Sequence, residues 1–163
     1  MLSRKRKSND YTRKTSPRLK HFIYEGYNCY FITCCISEGK KFFTDEKTVK
    51  TVLAILKETA NSHDFYVNCY CFMPDHLHLL VSGNKENSSL KNFIRMFKQK
   101  SSFEFKTSTK NTLWQRSYYD HVLRRTEDLG KIAHYILNNP VRKGLVKDFR
   151  DYPYSSLSLE LET

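Results

Sequence analysis

The sequence predicts an α+β domain with a ferredoxin-like, split βαβ arrangement, in which an antiparallel sheet carries helices on one face. Three observations lead to this prediction. Runs of β-branched and aromatic residues alternate with runs whose apolar residues recur every three or four positions. Their order is β-α-β-β-α-β, and one further helix follows. The chain has 163 residues, which is the length of a single domain.

The first half is predicted to contain three strands and one helix. Residues 28–37 are typical of a buried strand, because β-branched and aromatic side chains dominate them. Thr44 is the predicted cap of an amphipathic helix. Two strands are then predicted at 65–73 and 76–82, joined by a type I turn at Pro74-Asp75.

The second half is predicted to add two helices and one strand. An amphipathic helix comes first, and a fourth strand follows at 118–124. Thr126 is the predicted cap of the last helix, which should end near Asn139 because Pro140 cannot continue it. We expect the second face of the sheet to stay open, as in many proteins that bind nucleic acid.

The charge is strongly positive and unevenly distributed. The formal net charge is +11, and residues 1–20 hold eight Lys or Arg against one Asp, a local charge of +7. Such a balance favours a polyanionic partner, of which nucleic acid is the commonest. We predict a flexible basic arm over residues 1–19, a domain over 20–154 and a short tail over 155–163.

No segment of the sequence predicts membrane association. The chain has no apolar run long enough to span a bilayer, and no apolar stretch follows the basic N-terminal residues as in a secretory signal. The five cysteines form no CxxC pair. Buried free thiols suit a reducing compartment, so a cytoplasmic location is expected.

His76 and His78 are the first candidate functional residues. Residues two apart on a strand point to the same face of the sheet, so both imidazoles should project from the open face. A pair of neutral nitrogen donors can chelate one divalent ion. Two other interpretations stay open: an ordinary pair of surface histidines, or a zinc site that also includes Cys69 and Cys71.

The last helix carries a second candidate pair. Tyr135 lies well off the apolar stripe of this helix, and Asn139 lies one turn further along the same edge. A tyrosine that avoids the core, with an amide four residues later, is a candidate functional pair. The alternative is a tyrosine at the edge of the core with its hydroxyl in water. The apolar stripe comprises Leu129, Ile132, Ala133, Ile136 and Leu137.

Basic residues interleaved with aromatic ones form the third candidate feature. Such a combination suits single-stranded DNA, because bases stack on aromatic rings and phosphates pair with the charges. Solvated helix faces are the alternative for any one of these residues. The candidate DNA-binding residues are Lys91, Arg95, Lys98, Arg116, Arg124, Arg125, Arg142 and Lys143.

Three segments together resemble a known family. They read PDHLHLLVSG, WQRSYYDHVLR and HYILNNPVRKGLV in this order. The chain thereby resembles, over residues 18–154, the REP-associated tyrosine transposases. These are a branch of the single-tyrosine HUH transposases of small insertion sequences, named after a histidine-hydrophobe-histidine motif.

The resemblance implies a function and a role for each candidate. His76 and His78 would hold a divalent metal, Mg or Mn, and Tyr135 would be the nucleophile that forms a 5′-phosphotyrosine with single-stranded or hairpin DNA. Asn139 stands where insertion-sequence members carry a metal-binding Gln, and His121 is expected to line the site or bind DNA. The resemblance allows a monomer or a homodimer.

Three other functions remain open at this stage. A non-catalytic nucleic-acid-binding module would explain the charge and the aromatic residues. A metal-dependent nuclease would use water and carboxylates such as Asp75 and Asp120. A small zinc-binding interaction protein would use the cysteines. Tyr118 and Tyr119 are rival tyrosines, but they lie outside the segment that matches the nucleophile.

Overall fold

One antiparallel sheet organises the fold, which a computed structural model describes for residues 18–158. The strands lie in the order β4-β1-β3-β2-β5, and all neighbours are antiparallel. The predicted ferredoxin-like α+β architecture is confirmed. The strands are β1 (Cys29–Cys35), β2 (Phe65–Met73), β3 (His76–Gly83), β4 (Tyr119–Val122) and β5 (Ser155–Leu157); the α-helices are α1 (Glu46–Ser62), α2 (Leu90–Thr109), α3 (Leu129–Leu137) and α4 (Asn139–Arg142).

The central strand β3 divides its side chains between two cores. Leu77, Leu79 and Val81 are fully buried and pack with α1 and α2. We call this side the helical core. His78 and Leu80 point the other way, as the period of two in a strand requires, and we call that side the site face.

The helical core contains most of the large buried side chains, and it fixes the ends of its helices by local chemistry. Helix α1 is capped by Asp45, whose carboxylate accepts from the N–H of Thr48 at 2.8 Å. The predicted cap, Thr44, is wrong, because its hydroxyl instead donates to the carbonyl of Lys41. Helix α2 ends after Thr109, where Lys110 adopts a left-handed conformation with φ 65°.

Helix α3 packs across the site face, so the expectation of an open second face is corrected. Ala133, Ile136 and Leu137 form one buried cluster with strand residues that include Cys69 and Leu80. These apolar side chains form a stripe on one side of the helix that is about 100° wide or more, and a stripe of that width is buried against the core in a stable fold. Helix α3 is therefore packed against the sheet and forms part of the domain core.

The ends of α3 and the last strand differ in detail from the prediction. Asp128, not Thr126, caps α3 and accepts from the N–H of Lys131. Pro140 lies in the first turn of α4, where a missing N–H costs little. Residues 155–157, which the sequence assigned to a tail, pair with β2 as strand β5. The predicted arm, apart from residues 18 and 19, and the last five residues of the tail lie outside the described residues.

No helix within residues 18–158 is long and apolar enough to cross a membrane.

Candidate active site

The two histidines of β3 meet tip to tip on the site face. The Nε2 atoms of His76 and His78 lie 3.0 Å apart, and the two rings are nearly perpendicular. His78 is fully buried, whereas His76 keeps part of its ring accessible. The predicted convergence of both imidazoles on one point is thus present, although α3 covers more of them than an open face would.

Each imidazole is held from behind by one hydrogen bond. His76 Nδ1–H donates to the Asp75 carboxylate at 2.6 Å, so a neutral His76 presents a lone pair at Nε2. His78 Nδ1 lies 2.9 Å from the Thr33 hydroxyl, which can donate or accept. Partners of this kind fix the orientation of metal-binding histidines.

Burial keeps both rings in the neutral form that binds metals. It lowers the pKa of His76, although Asp75 opposes the shift, and Lys143 lowers it further. For His78, burial is again the main cause of a pKa well below the usual value, with contributions from His76 and Arg142. Neutral imidazoles are the ligand form, because a protonated ring has no lone pair to donate.

The donor set fits one divalent cation. Two nitrogens bound to the same ion at about 2.1 Å and at a right angle would be roughly 3 Å apart, which matches the observed Nε2 separation. Within residues 18–158, however, no group of three or more His, Cys, Asp or Glu side chains could hold a metal. The two histidines would therefore need oxygen ligands from other sources, such as water or a phosphate.

The alternative zinc site with cysteine ligands is not formed. Cys71 does lie opposite His78 in the register, as expected. However, its thiol is within 3.8 Å of the sulfur of Met73, and the thiol of Cys69 points to the carbonyl of Ala133 beneath α3. Burial raises the pKa of Cys69 to about 12, so this sulfur stays a thiol rather than a metal-binding thiolate.

Tyr135 reaches the same region from α3. Its ring packs edge-on against Phe31 of β1, with centroids 6.2 Å apart, and Phe31 also contacts the ring of His78 at 5.4 Å. One phenylalanine thus connects the candidate nucleophile to the candidate metal ligands. The guanidinium of Arg142 lies 4.7 Å from the centroid of the Tyr135 ring. Phe31 therefore contacts both the Tyr135 ring and the His78 ring, and His78 in turn meets His76.

Asn139 is buried and holds the end of α3. Its amide nitrogen donates to the carbonyls of Tyr135 and Ile136, at 3.0 and 3.3 Å. Both carbonyls belong to the last turn of α3, where helix carbonyls take part in capping. Asn139 thereby fixes the turn that carries Tyr135, and its assignment as a third metal ligand remains a prediction.

The candidate DNA-binding residues lie in several places: on α2, near the histidines, and before and after the edge strand β4. Lys91 and Arg95 are exposed on α2, behind the helical core, where Lys91 lies over the ring of Tyr24. Arg142 and Lys143 lie close enough to the histidines to affect their pKa values. Arg116, Arg124 and Arg125 are exposed before and after β4.

Lys98 has a structural role that the sequence did not indicate. Its ammonium donates to the carbonyls of Gln115, Arg116 and Ser117, at 2.6, 3.2 and 2.9 Å. Burial lowers the pKa of this amine. These three bonds hold the segment that leads into β4, so the charge is engaged within the protein.

The carboxylates of the alternative nuclease hypothesis do not share a site. Asp75 is bonded to His76, and Asp120 lies on the helical side, 3.8 Å from Arg18. Asp120 is directly opposite Ile32, a residue of the helical core, which confirms its face. His121 lies on the site face opposite Phe31 and pairs with Glu127 at 2.8 Å.

Thr33 and Phe31 are site residues that sequence reasoning missed. Both lie in the predicted first strand, with the same parity, and the antiparallel register places them beside His78 and Leu80. The alternation of β1 could have identified them once β1 was paired with β3. That pairing is a long-range choice, which a local pattern does not contain.

Comparison with known sequences identifies one family. A sequence profile described as "Transposase IS200 like" matches residues 24–139. A Haemophilus influenzae protein that carries the family name of REP-associated tyrosine transposase is 30% identical over 149 residues, which cover 82% of this chain and 81% of that protein. The REP-associated tyrosine transposase of Escherichia coli is 32% identical over 106 residues, covering 63% of this chain and 60% of that protein.

Two solved structures share the fold. A REP-associated tyrosine transposase bound to a REP hairpin superposes with a TM-score of 0.70 and 20% identity, over 81% of this chain and 78% of that one. A Deinococcus radiodurans chain described as a transposase gives a TM-score of 0.52 and 19% identity, over 72% of this chain and 93% of that one. These likenesses support the ferredoxin-like architecture.

Proposed function

This chain belongs to the IS200-like transposases, within the group of REP-associated tyrosine transposases, and from that premise we propose that it cleaves and rejoins single-stranded or hairpin DNA through Tyr135. The observation that supports the proposal is the contact of Phe31 with both the Tyr135 and His78 rings. Hairpin DNA is the proposed partner, because the similar solved structure is bound to a REP hairpin.

The proposed reaction is a transesterification at phosphorus. The Tyr135 oxygen attacks the scissile phosphate, the bond from phosphorus to the 3′ oxygen breaks, and a 5′-phosphotyrosine forms. Tyr135 loses its hydroxyl proton and the departing 3′ oxygen gains one. The covalent bond conserves the energy of the phosphodiester, so the 3′-OH of another strand end can reverse the step and complete rejoining.

His76 and His78 are proposed as the residues that would hold Mg or Mn. When bound, the divalent ion would polarise the scissile phosphate and stabilise negative charge in the transition state. Asp75 and Thr33 would keep the two rings in place from behind. On binding, the Thr33 hydroxyl would accept from His78 Nδ1–H, which leaves the Nε2 lone pair free to act as a ligand.

Arg142 is proposed to assist the nucleophile. Its guanidinium lies against the Tyr135 ring and remains exposed to solvent. A cation at this position attracts the phosphate and stabilises negative charge that develops on the phenol oxygen. Lys143, the next residue, adds a second positive charge on the side of His76.

A denaturing gel tests the proposal. Hairpin-bearing single strands labelled at the 3′ end are incubated with the chain and Mn²⁺, because the protein would remain attached to the 5′ phosphate of the labelled fragment. We expect a labelled band that migrates with the protein, absent for Tyr135→Phe and present for Tyr66→Phe, an exposed tyrosine on β2. Cleavage without an attached protein would contradict the proposal.

A further inference from the structure

Strand β4 presents one aromatic residue to the site face. Tyr119 pairs with Thr33 of β1, and Thr33 pairs with His78 of β3. Directly opposite side chains on neighbouring antiparallel strands lie on the same face of the sheet. Tyr119, Thr33 and His78 therefore form one row across the site face. The hydrogen bond between Thr33 and His78 confirms that these two side chains lie on the same face.

The neighbouring tyrosines Tyr118 and Tyr119 have different surroundings. Tyr118 packs against the helical core, and the guanidinium of Arg18 lies 4.9 Å from its ring centroid. Burial raises the pKa of Tyr118 to about 12. Tyr119 points to the other face and is 42% exposed. Tyr118 thus stabilises the core, whereas Tyr119 keeps much of its ring in solvent beside the site.

Positive charge flanks Tyr119 in sequence. Arg116 precedes β4, and Arg124 and Arg125 follow it, all exposed. Arg142 stands on the opposite side of the site, against Tyr135. A DNA strand whose phosphate reaches Tyr135 would meet Arg142 there, and the exposed Tyr119 ring lies on the same face of the sheet, on a strand with exposed arginines before and after it. This combination is the one that single-stranded DNA needs, since phosphates pair with cations and bases stack on rings.

We propose that the ring of Tyr119 stacks on a base of the bound DNA strand, close to the phosphate that Tyr135 attacks. The inference rests on the proposed function, because it assumes that the strand passes through this site. Strands β4 and β3 are two strand spacings apart, or about 10 Å. Stacked bases rise about 3.4 Å per step, so the stacked base lies within about three nucleotides of the scissile phosphate.

A binding experiment without metal tests this role separately from chemistry. The probe is a fluorescent DNA hairpin with thymidine flanks, followed by anisotropy in the presence of EDTA. We expect Tyr119→Ala to weaken binding roughly 5- to 150-fold, because a stacked base contributes on the order of 1–3 kcal/mol. Tyr119→Phe keeps the ring and should bind as the wild type does. Tyr66→Ala, at another exposed tyrosine, should have no effect.

Abasic substitutions in the probe locate the stacked base. Single abasic sites are placed at each flank position, and each probe is measured with the wild type and with Tyr119→Ala. We expect one position, within about three nucleotides of the cleavage site, at which the abasic site weakens wild-type binding but not binding by the variant. Melting temperatures confirm that all variants fold.

Any of three results would overturn the stacking role, and the first two are equal loss in Tyr119→Phe and Tyr119→Ala, or no position at which the abasic site and the variant depend on each other. Unchanged affinity of Tyr119→Ala would do the same. The denaturing gel tests the proposed function separately, because that function fails if the wild type with Mn²⁺ gives no covalent band. The two proposals can therefore fail independently.

Discussion

The two faces of strand β3 differ in what their side chains do, although the residues are adjacent in sequence. Leu77 and Leu79 are fully buried against α1 and α2, where rings such as Phe43 and Phe72 pack at centroid distances of 4.9 Å. His76 and His78 face α3, where they meet each other and hydrogen-bond to Asp75 and Thr33. Alternation along one strand therefore places core residues on one face and the candidate site residues on the other.

The site face is also buried, so burial by itself does not distinguish the two faces. The difference lies in the type of group that is buried. The thiols of Cys69 and Cys71 are held as neutral groups, because burial raises their pKa values. The imidazoles are neutral for the same reason, but a neutral imidazole is a ligand while a neutral thiol is a poor one. Burial thereby leaves the imidazoles, rather than the thiols, in the form that could bind the proposed metal.

The largest expected effect comes from His78→Ala. We expect single-turnover DNA cleavage with Mn²⁺ to fall by about 10²–10³, the usual cost of losing one group that stabilises transition-state charge. DNA binding in EDTA should stay within about twofold, because the ligand pair is proposed to act on the transition state. Equal losses of binding and cleavage would show that His78 only supports the fold.

Leu79→Ala is the matched change on the other face. Truncation of this fully buried side chain should lower the free energy of unfolding by about 2–5 kcal/mol, measured in urea. The folded fraction should cleave DNA at the wild-type rate, because the cavity opens in the helical core. A cleavage defect that remains after correction for unfolded protein would mean that the two faces are not separate.

Thr33→Val tests whether the hydrogen bond behind His78 matters for metal binding. The change removes the hydroxyl but keeps the shape, and we expect Mn²⁺ affinity, measured by calorimetry, to fall about 10- to 100-fold. Thr33→Ser retains the hydroxyl and should keep most of the affinity. If Val and Ser behave alike, the hydroxyl does not orient the ring.

Lys98→Met separates a structural lysine from a DNA-binding one. Loss of three carbonyl partners should lower the free energy of unfolding by about 1–3 kcal/mol. Lys100→Met is the control, since Lys100 makes a solvent-accessible ion pair with Glu58, which should contribute about 0–1 kcal/mol. If Lys98→Met is as stable as the wild type but binds DNA more weakly, Lys98 binds DNA and its structural role is contradicted.

The smallest effect concerns the basic residues near the histidines and those on α2. Replacement of Arg142 by Gln should reduce the slope of log affinity against log salt by about 0.7, the value for one phosphate contact on a single strand. Replacement of Arg95, on the far side of the helical core, should leave the slope unchanged. The reverse result would place the DNA on α2.

Local pattern was sufficient to predict the strand alternation that separates Leu77 from His78, and the turn of α3 that carries Tyr135. Local pattern failed where two nearby residues could each cap the N-terminus of the same helix. Asp45 replaced Thr44 as a helix cap because a carboxylate is the stronger acceptor for a backbone N–H. Asp128 replaced Thr126 in the same way.

The remaining differences depend on contacts between distant segments. The cover of α3 over Cys69 and Leu80, and the pairing of β5 with β2, bring together residues more than 40 positions apart. The carbonyls that accept from Lys98 belong to the segment before β4, which the pattern of an amphipathic helix does not reveal. Such partners can be seen only after the chain has folded.

Tyr135 and the histidine pair are proposed to act on the same phosphate. Paramagnetic broadening by Mn²⁺ tests this most directly, because it reports how close a labelled tyrosine lies to the ion. 3-Fluorotyrosine is placed at position 135 and, in a second sample, at position 66, and the fluorine signals are followed as Mn²⁺ is added. We predict strong broadening at 135 that disappears with His76→Ala, and far weaker broadening at 66, five residues along β2 from the partner of His78. A fluorine signal at 135 that stays sharp while Mn²⁺ binds the histidines would contradict the account.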